Sequence, residues 1–353
     1  MPESVIVDAV RTPIGRAFKG SLAQMRPDEM GAFVVDALLE RNQEVDPELI
    51  EEVYCGVGLP QGLQGFNMGR IIALLSERLP LDTNGATVSR YCASSLESIR
   101  QASNAIAAGQ GHAYIAAGVE WVSRYNEAVE GARPQDQNEK LQGGNGRPDA
   151  YISMGLTAEN VAERYEVSRA DMDKYAQRSQ ELAVQSQESG YYDREIVPVT
   201  LPDGKVVSKD DGPRASSTLE KLSQLDPAFK EDGKVTAGNS CPLNDGAAAV
   251  LVMSATKADE LGLKPRARGW RPSSAARGSL ITTTAAAPSF NGHEFPAVTF
   301  PPGLKTGSSS ASFSSVDPRR GPSSAATPSQ GVISRAKKPL SWARTARSCE
   351  RCA

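Results

Sequence analysis

The chain has 353 residues and a mass of 37.5 kDa, with 39% hydrophobic, 23% charged and 6% aromatic residues. At about 100–200 residues per domain, this length predicts two or three domains with room for a large core. No stretch approaches the roughly 18 apolar residues of a membrane span, which excludes one, and the formal net charge of −3 argues against a generally basic, nucleic-acid-coating protein.

That net charge hides two unlike segments. Residues 1–268 carry 28 Lys and Arg against 39 Asp and Glu, whereas residues 269–353 carry 11 against 3. Of those last 85 residues, 52 are Ser, Ala, Pro, Gly or Thr, so the segment cannot bury enough apolar surface to offset its ordering entropy. It is expected to be a disordered, low-complexity basic tail. Its basic residues are dispersed and it has two Trp and no Tyr, so stacking platforms for nucleic acid are scarce. Met1–Asp8 lacks the basic start and apolar run of a secretory signal. Five cysteines in so long a chain form no disulfide framework. The expected compartment is the cytoplasm.

In chain order, Ser4–Val7 predicts a short buried strand, followed by a turn-rich Arg11–Arg16. A helix follows from Asp28 to Arg41, with Met30, Phe33, Val34, Ala37 and Leu38 on one face. Val53–Val57 predicts a second strand and Asn67–Arg78 a second helix. Ala86–Tyr91 predicts a third strand, running directly into Cys92-Ala93-Ser94-Ser95 and a helix that stops near Gly109. Tyr114–Gly118 predicts a further strand. This alternation predicts an α/β fold with a parallel, helix-covered sheet. From about Trp121 to Asn244 the pattern changes to Gly-rich loops with helices over Gly155–Tyr165 and Arg169–Ser189, which has the character of an insertion. Asp245–Met253 returns as a strand, with a helix to Leu261.

Cys92 stands out because it sits where a strand gives way to a helix. A thiolate there meets the partial positive charge of the helix N-terminus, and sulfur is a good nucleophile toward thioester and ketone carbons. Position alone leaves open that it is a buried, inert thiol. Cys55, within a strand, reads as core, and Cys241 lies in a loop where it lines a pocket or is simply packed. Cys349 and Cys352 form a CxxC with no second pair at metal-site spacing, so no metal site is expected. His112 reads as structural, and His293 has no evident partner, so no base for Cys92 is visible.

Four segments together resemble the thiolase family. They are Val10-Arg11-Thr12-Pro13-Ile14-Gly15-Arg16, Ser89-Arg90-Tyr91-Cys92-Ala93-Ser94-Ser95-Leu96, Met154-Gly155-Leu156-Thr157-Ala158-Glu159-Asn160-Val161-Ala162, and Val235-Thr236-Ala237-Gly238-Asn239-Ser240 with Asn244-Asp245-Gly246-Ala247-Ala248. They occur in family order over residues 1–268. The resemblance implies a thiolase-like fold: an N-terminal α/β domain (1–120 and 245–268) with an inserted, coenzyme A-binding loop domain (121–244). It implies thiolytic cleavage of a 3-ketoacyl-CoA, or the reverse Claisen condensation, through an acyl-Cys92 intermediate. By matched position, Ser153, Met154, Arg214, Phe229, Ala237 and Ser240 contact CoA, which is a co-substrate, with no permanently bound cofactor. Without the family match, Arg214 reads as a solvated surface arginine. Expected partners are acyl-CoA and further copies of the chain, as a homodimer or homotetramer, with no membrane or nucleic acid.

The sequence also departs from the family. Ser153 stands where many members carry His, and Ser95 where Gly usually follows Cys-x-Ser. Beyond Gly269 the second thiolase domain, with its Asn-Glu-Ala-Phe, Gly-His-Pro and Cys-x-Gly-Gly-Gly motifs, is expected to be missing and replaced by the tail. Those motifs supply oxyanion support, the base and the proton shuttle. Asn291-Gly292-His293-Glu294 takes none of their roles. Three readings follow: an impaired thiolase, a non-catalytic CoA- or partner-binding remnant, and a nucleic-acid-binding protein using the basic tail, which the dispersed charges and scarce aromatics disfavour. The abrupt compositional change has the character of a GC-rich gene read out of frame. Sequencing the coding DNA across codons 260–280 checks this. A shifted frame carrying the three motifs is the expected result, and their absence from every frame would leave the tail as the protein's own.

Overall fold

The computed structural model describes residues 2–123, 137–144 and 146–268. The expected disordered tail and the replaced second domain fall on 269–353, outside the described residues. The principal feature is a seven-stranded mixed sheet of strand order β4-β3-β5-β8-β1-β9, with β2 paired to β8. Its members are β1 (Ser4–Arg11), β2 (Gly15–Arg16), β3 (Ile50–Gly56), β4 (Asn84–Val88) and β5 (Ala113–Trp121). β6 (Val199–Thr200) and β7 (Val206–Val207) form a separate hairpin, and β8 (Asn244–Ser254) and β9 (Ala267–Arg268) complete the sheet.

Helices α1 (Pro27–Arg41) and α2 (Met68–Leu75) cover one face and α3 (Ser94–Ala107) the other. The division follows strand alternation, in which successive side chains point to opposite faces. Ile115, Ala117, Leu251 and Met253 pack in the layer of α1 and α2, while Tyr114, Ala116, Val250 and Val252 meet Ile99, Ala102 and Ile106 of α3. Both faces are buried, which explains the nearly unbroken apolar run of β8.

The helix-covered α/β sheet is as expected, but it is not wholly parallel. β3 pairs in parallel with β4 and β5, as α2 and α3 crossovers require. β8 lies between β5 and β1 and runs antiparallel to both. The chain leaves β5 at Trp121 and returns at Asn244, and so long an excursion removes the constraint that a single crossover helix imposes on strand direction. Pairing with β8 also carries β1 on to Arg11, beyond the expected end at Val7. α2 ends at Leu75 rather than Arg78, because Ser76 Oγ accepts from the backbone N–H groups of Arg78 (3.2 Å) and Leu79 (3.1 Å) and stops the helical ladder. Among the described residues no helix is long and apolar enough to cross a membrane.

The excursion contains α4 (Met154–Arg164), α5 (Arg169–Glu188) and α6 (Leu219–Ser223), and α7 (Ala255–Glu260) follows β8. Its start is held at the sheet, where the Ser123 N–H donates to Asp245 Oδ1 at 2.9 Å and its hydroxyl donates to Oδ2. Arg11 makes a second attachment. Its guanidinium is buried and reaches Glu195 Oε1 at 2.8 Å and both oxygens of Asp210 at 2.7 and 3.0 Å. Replacing Arg11 with Met leaves two half-buried carboxylates unpaired. The expected cost is about 3–5 kcal/mol, measured by denaturant unfolding.

Candidate active site

Cys92 follows the C-terminal end of β4, on the side of the sheet where the parallel strands β3, β4 and β5 all terminate. Open α/β sheets place ligand sites at that end. A 3₁₀ turn, Tyr91–Ala93, carries Cys92 exposed to solvent and passes directly into α3. The expected strand through Tyr91 ends earlier, at Val88. Tyr91 lies instead in the left-handed region at φ 47°, a conformation that costs a non-glycine residue about 1–2 kcal/mol.

The turn is held by its own polar groups. The buried Ser94 Oγ accepts from Arg90 N–H at 2.8 Å and lies 2.6 Å from Tyr91 O and 3.2 Å from Val57 O, either of which takes its proton. The Arg90 side chain reaches Glu97 Oε2 at 2.7 Å, and Glu97 is also bound by Arg100. Hydrogen bonds from Arg100 keep the Glu97 carboxyl below its usual range, so it stays charged against both arginines. Two glycines let this turn lie directly on the sheet. A Cβ at Gly56 would stand 2.4 Å from Ser95 N, and one at Gly118 would stand 1.9 Å from Ser95 Oγ. Ser95, the departure from the family pattern, therefore occupies space left by Gly118.

The other cysteines separate clearly. Cys55 is fully buried in β3, and burial raises its thiol well above the ordinary range. Cys241 is exposed, with Sγ 3.4 Å from Pro242 O, so it belongs to the surface rather than to a packed loop. His112 lies at the opposite end of β5 from Trp121, with Nδ1 3.0 Å from Ser254 Oγ, which removes it from Cys92. His293, Cys349 and Cys352 lie outside the described residues.

The residues matched to CoA contacts cluster in the excursion. Ser153 caps α4, its Oγ accepting from Leu156 N–H at 3.3 Å, and Met154 begins that helix with its side chain exposed. Phe229 lies over Gly155, where a Cβ would meet its ring at 2.1 Å. The buried Glu159 carboxylate accepts from the N–H groups of Lys234 (2.9 Å) and Val235 (2.8 Å), bringing the next loop against α4. That loop turns through Ala237 to Ser240, with Asn239 Nδ2 donating to Asp173 Oδ1 at 2.9 Å. Asp173 in turn holds Arg169, which caps the carbonyls of Leu222 and Leu225. The Arg214 backbone N–H donates to Gln180 Oε1 at 2.8 Å, and its exposed guanidinium has no ion-pair partner among the described residues.

Ser153, Met154, Phe229, Ala237 and Ser240 thus lie on elements joined by direct contacts, with Arg214 attached through α5. Cys92 lies on the sheet and shares none of these bonds. The supporting groups Glu97, Asp173 and Gln180 carry no signal in the sequence. Glu159 and Asn239 lie inside the family-like segments, which is their only signal in the sequence. Among the described residues no group of three or more His, Cys, Asp or Glu is arranged to hold a metal ion. A Gly118→Ala substitution drives a methyl into Ser95. The expected result is a loss of about 1–3 kcal/mol, read as a fall in Tm against Gly212→Ala, an open position of ordinary backbone φ outside the turn, as the control for glycine replacement.

Comparison with known proteins agrees with this architecture. The family model described as thiolase, N-terminal domain, matches residues 4–256. A β-ketoadipyl-CoA thiolase of Acinetobacter baylyi is 42% identical over 287 residues, covering 76% of this chain and 70% of that protein. A 3-ketoacyl-CoA thiolase of Bacillus subtilis is 42% identical over 277 residues, covering 75% and 69%. The crystal structure of the Bacillus anthracis acetyl-CoA acetyltransferase superposes with a TM-score of 0.66 at 39% identity, over 75% of this chain and 68% of that one. The chain belongs to the thiolase family.

Proposed function

We propose that this chain is a thiolase-type acyltransferase in which Cys92 accepts the acyl group. The observation that carries the reading is the exposed thiol in the strained turn ahead of α3. In the cleavage direction, Cys92 Sγ attacks the keto carbon of a 3-ketoacyl-CoA and forms a C–S bond. The adjacent C–C bond breaks, its α-carbon takes a proton, and acetyl-CoA leaves. The acyl group stays on Cys92 as a thioester until the thiol of free CoA attacks it, regenerating the cysteine. The reverse sequence is a Claisen condensation.

Ser153, Met154, Phe229, Ala237 and Ser240 hold CoA in this reading, and the exposed Arg214 fork suits its phosphate-bearing end. The inserted segment 121–244 acts as the CoA-binding domain on the α/β domain of 1–120 and 245–268. CoA is a co-substrate, no resident cofactor takes part, and the protein works in the cytoplasm as a homodimer or homotetramer.

Turnover is expected to be impaired. The sequence contains no Asn-Glu-Ala-Phe, Gly-His-Pro or Cys-x-Gly-Gly-Gly motif, and His112 is turned to Ser254. Loss of even one oxyanion donor costs an enzyme about 100–1,000-fold. The same missing motifs favour the second reading, a non-catalytic CoA-binding protein.

Incubation with acetyl-CoA followed by peptide mass spectrometry distinguishes the two. An acetyl adduct on Cys92, absent from Cys92→Ser, is the expected result. CoA binding with no adduct would replace the proposal by the second reading. Gly155→Ala pushes Phe229 off α4 and is expected to weaken CoA binding about tenfold, read by calorimetry, with Cys92 alkylation unchanged.

A further inference from the structure

Glu120 is an acidic residue near the end of a strand whose neighbours are buried on both faces. Its Oε2 accepts from the backbone N–H of Gly58 at 2.7 Å, and its Oε1 from Gln64 Nε2 at 2.7 Å. The Leu59 N–H lies close to the same carboxylate. Burial holds the carboxyl above its usual range, with Gln64 and the N–H groups of Gly58 and Leu59 opposing the rise. Gln64 is itself buried. Its Nε2 also donates to Leu59 O at 2.9 Å, while its Oε1 accepts from Trp121 N–H. The segment 57–64 that follows β3 is therefore hung from the end of β5 by one carboxylate and one carboxamide.

That segment underlies the Cys92 turn at three points. Ser94 Oγ lies 3.2 Å from Val57 O, and Ser89 Oγ donates to Gly58 O at 3.5 Å. A Cβ on Gly58 would stand 2.5 Å from Glu120 Oε2 and 3.5 Å from Tyr91 O. Gly58 thus fills the gap between the Glu120 carboxylate and the carbonyl of the residue preceding Cys92.

We infer that Glu120 is a positioning residue for Cys92: its carboxylate fixes the Gly58–Leu59 backbone on which the Tyr91–Ala93 turn rests. A carboxylate suits the place because it only accepts, and backbone N–H groups converge on it. A glutamine would turn its own N–H toward one of them. The inference rests on the reading of Cys92 as the acyl acceptor.

The chain supplies its own controls, since Cys55 is buried and Cys241 is an exposed loop thiol. Site-resolved iodoacetamide labelling of the three cysteines is compared between the parent chain and Glu120→Gln. The expected result is a fall in the Cys92 rate relative to Cys241 of about fivefold, the effect of moving a thiolate away from a helix N-terminus, with Cys55 still protected. An unchanged Cys92-to-Cys241 ratio with Cys55 protected would overturn the inference. If Glu120→Gln exposes Cys55, the decision passes to Gly58→Ala, whose methyl displaces the same carboxylate from the loop, and the same two outcomes apply. With acetyl-CoA as donor, the maximal rate of Cys92 acylation is expected to fall while the half-saturating concentration stays constant. An equal change in both would point to a general structural defect and count against positioning. Failure of the parent to acylate would count against the proposed function alone, because the labelling ratio needs no catalysis.

Discussion

The buried guanidinium of Arg11 is the constraint on which the arrangement of the site depends. It ends β1 and faces two carboxylates from the excursion, Glu195 and Asp210, with Tyr192 stacked 5.2 Å from its centre. The backbone repeats the attachment, with Arg11 N–H donating to Glu195 O and Val197 N–H to Arg11 O. A buried charge is tolerated only when paired and fully hydrogen-bonded, and the planar fork of arginine meets both acids while donating to Thr12 O as well. Asp210 also receives Ile14 N–H, and the adjacent Asp211 receives the N–H groups of Arg16 and Ser21. The loop after β1 and the segment that leads to Arg214 are thereby tied together.

The second constraint is steric. The Cys92 turn packs on the sheet only because β3 and β5 carry glycine where its first helical residues land. Tyr91 is held in an unfavourable conformation by Ser94 and by the Arg90–Glu97–Arg100 cluster, which grips the turn from the helix side. Glu120 supports it from the sheet side through Gly58. Strain that persists because its surroundings determine it is a recurring property of reactive positions. Here it presents the thiol ahead of the helix rather than within it.

Local periodicity was enough to find α1, α3, β3, β5 and β8, because both faces of the sheet are buried and the apolar runs are long. The direction of β8 was not legible, since it depends on what a long excursion does in space. The exact start of α3 was hidden because a positive φ at tyrosine has no sequence signature. Cys92 was visible from its place between strand and helix, and the residues matched to CoA contacts only through family motifs. Their supports form long-range pairs, such as Glu159 with Val235 and Asp173 with Asn239, which carry no local signal. Glu120 and Gln64 were invisible for the same reason: an acid near a strand end reads as solvated surface until its partners are known.

The central claim is that the thiol on the sheet and the excursion residues proposed to hold CoA make one site. Protection of Cys92 by bound ligand tests it most directly. The alkylation rate of Cys92 is measured with and without saturating desulfo-coenzyme A, which has no thiol of its own to react, with Cys241 as the internal reference. The account predicts that the ligand slows Cys92 and that Arg214→Ala raises the concentration needed. Equal rates at Cys92 with and without bound ligand would contradict it.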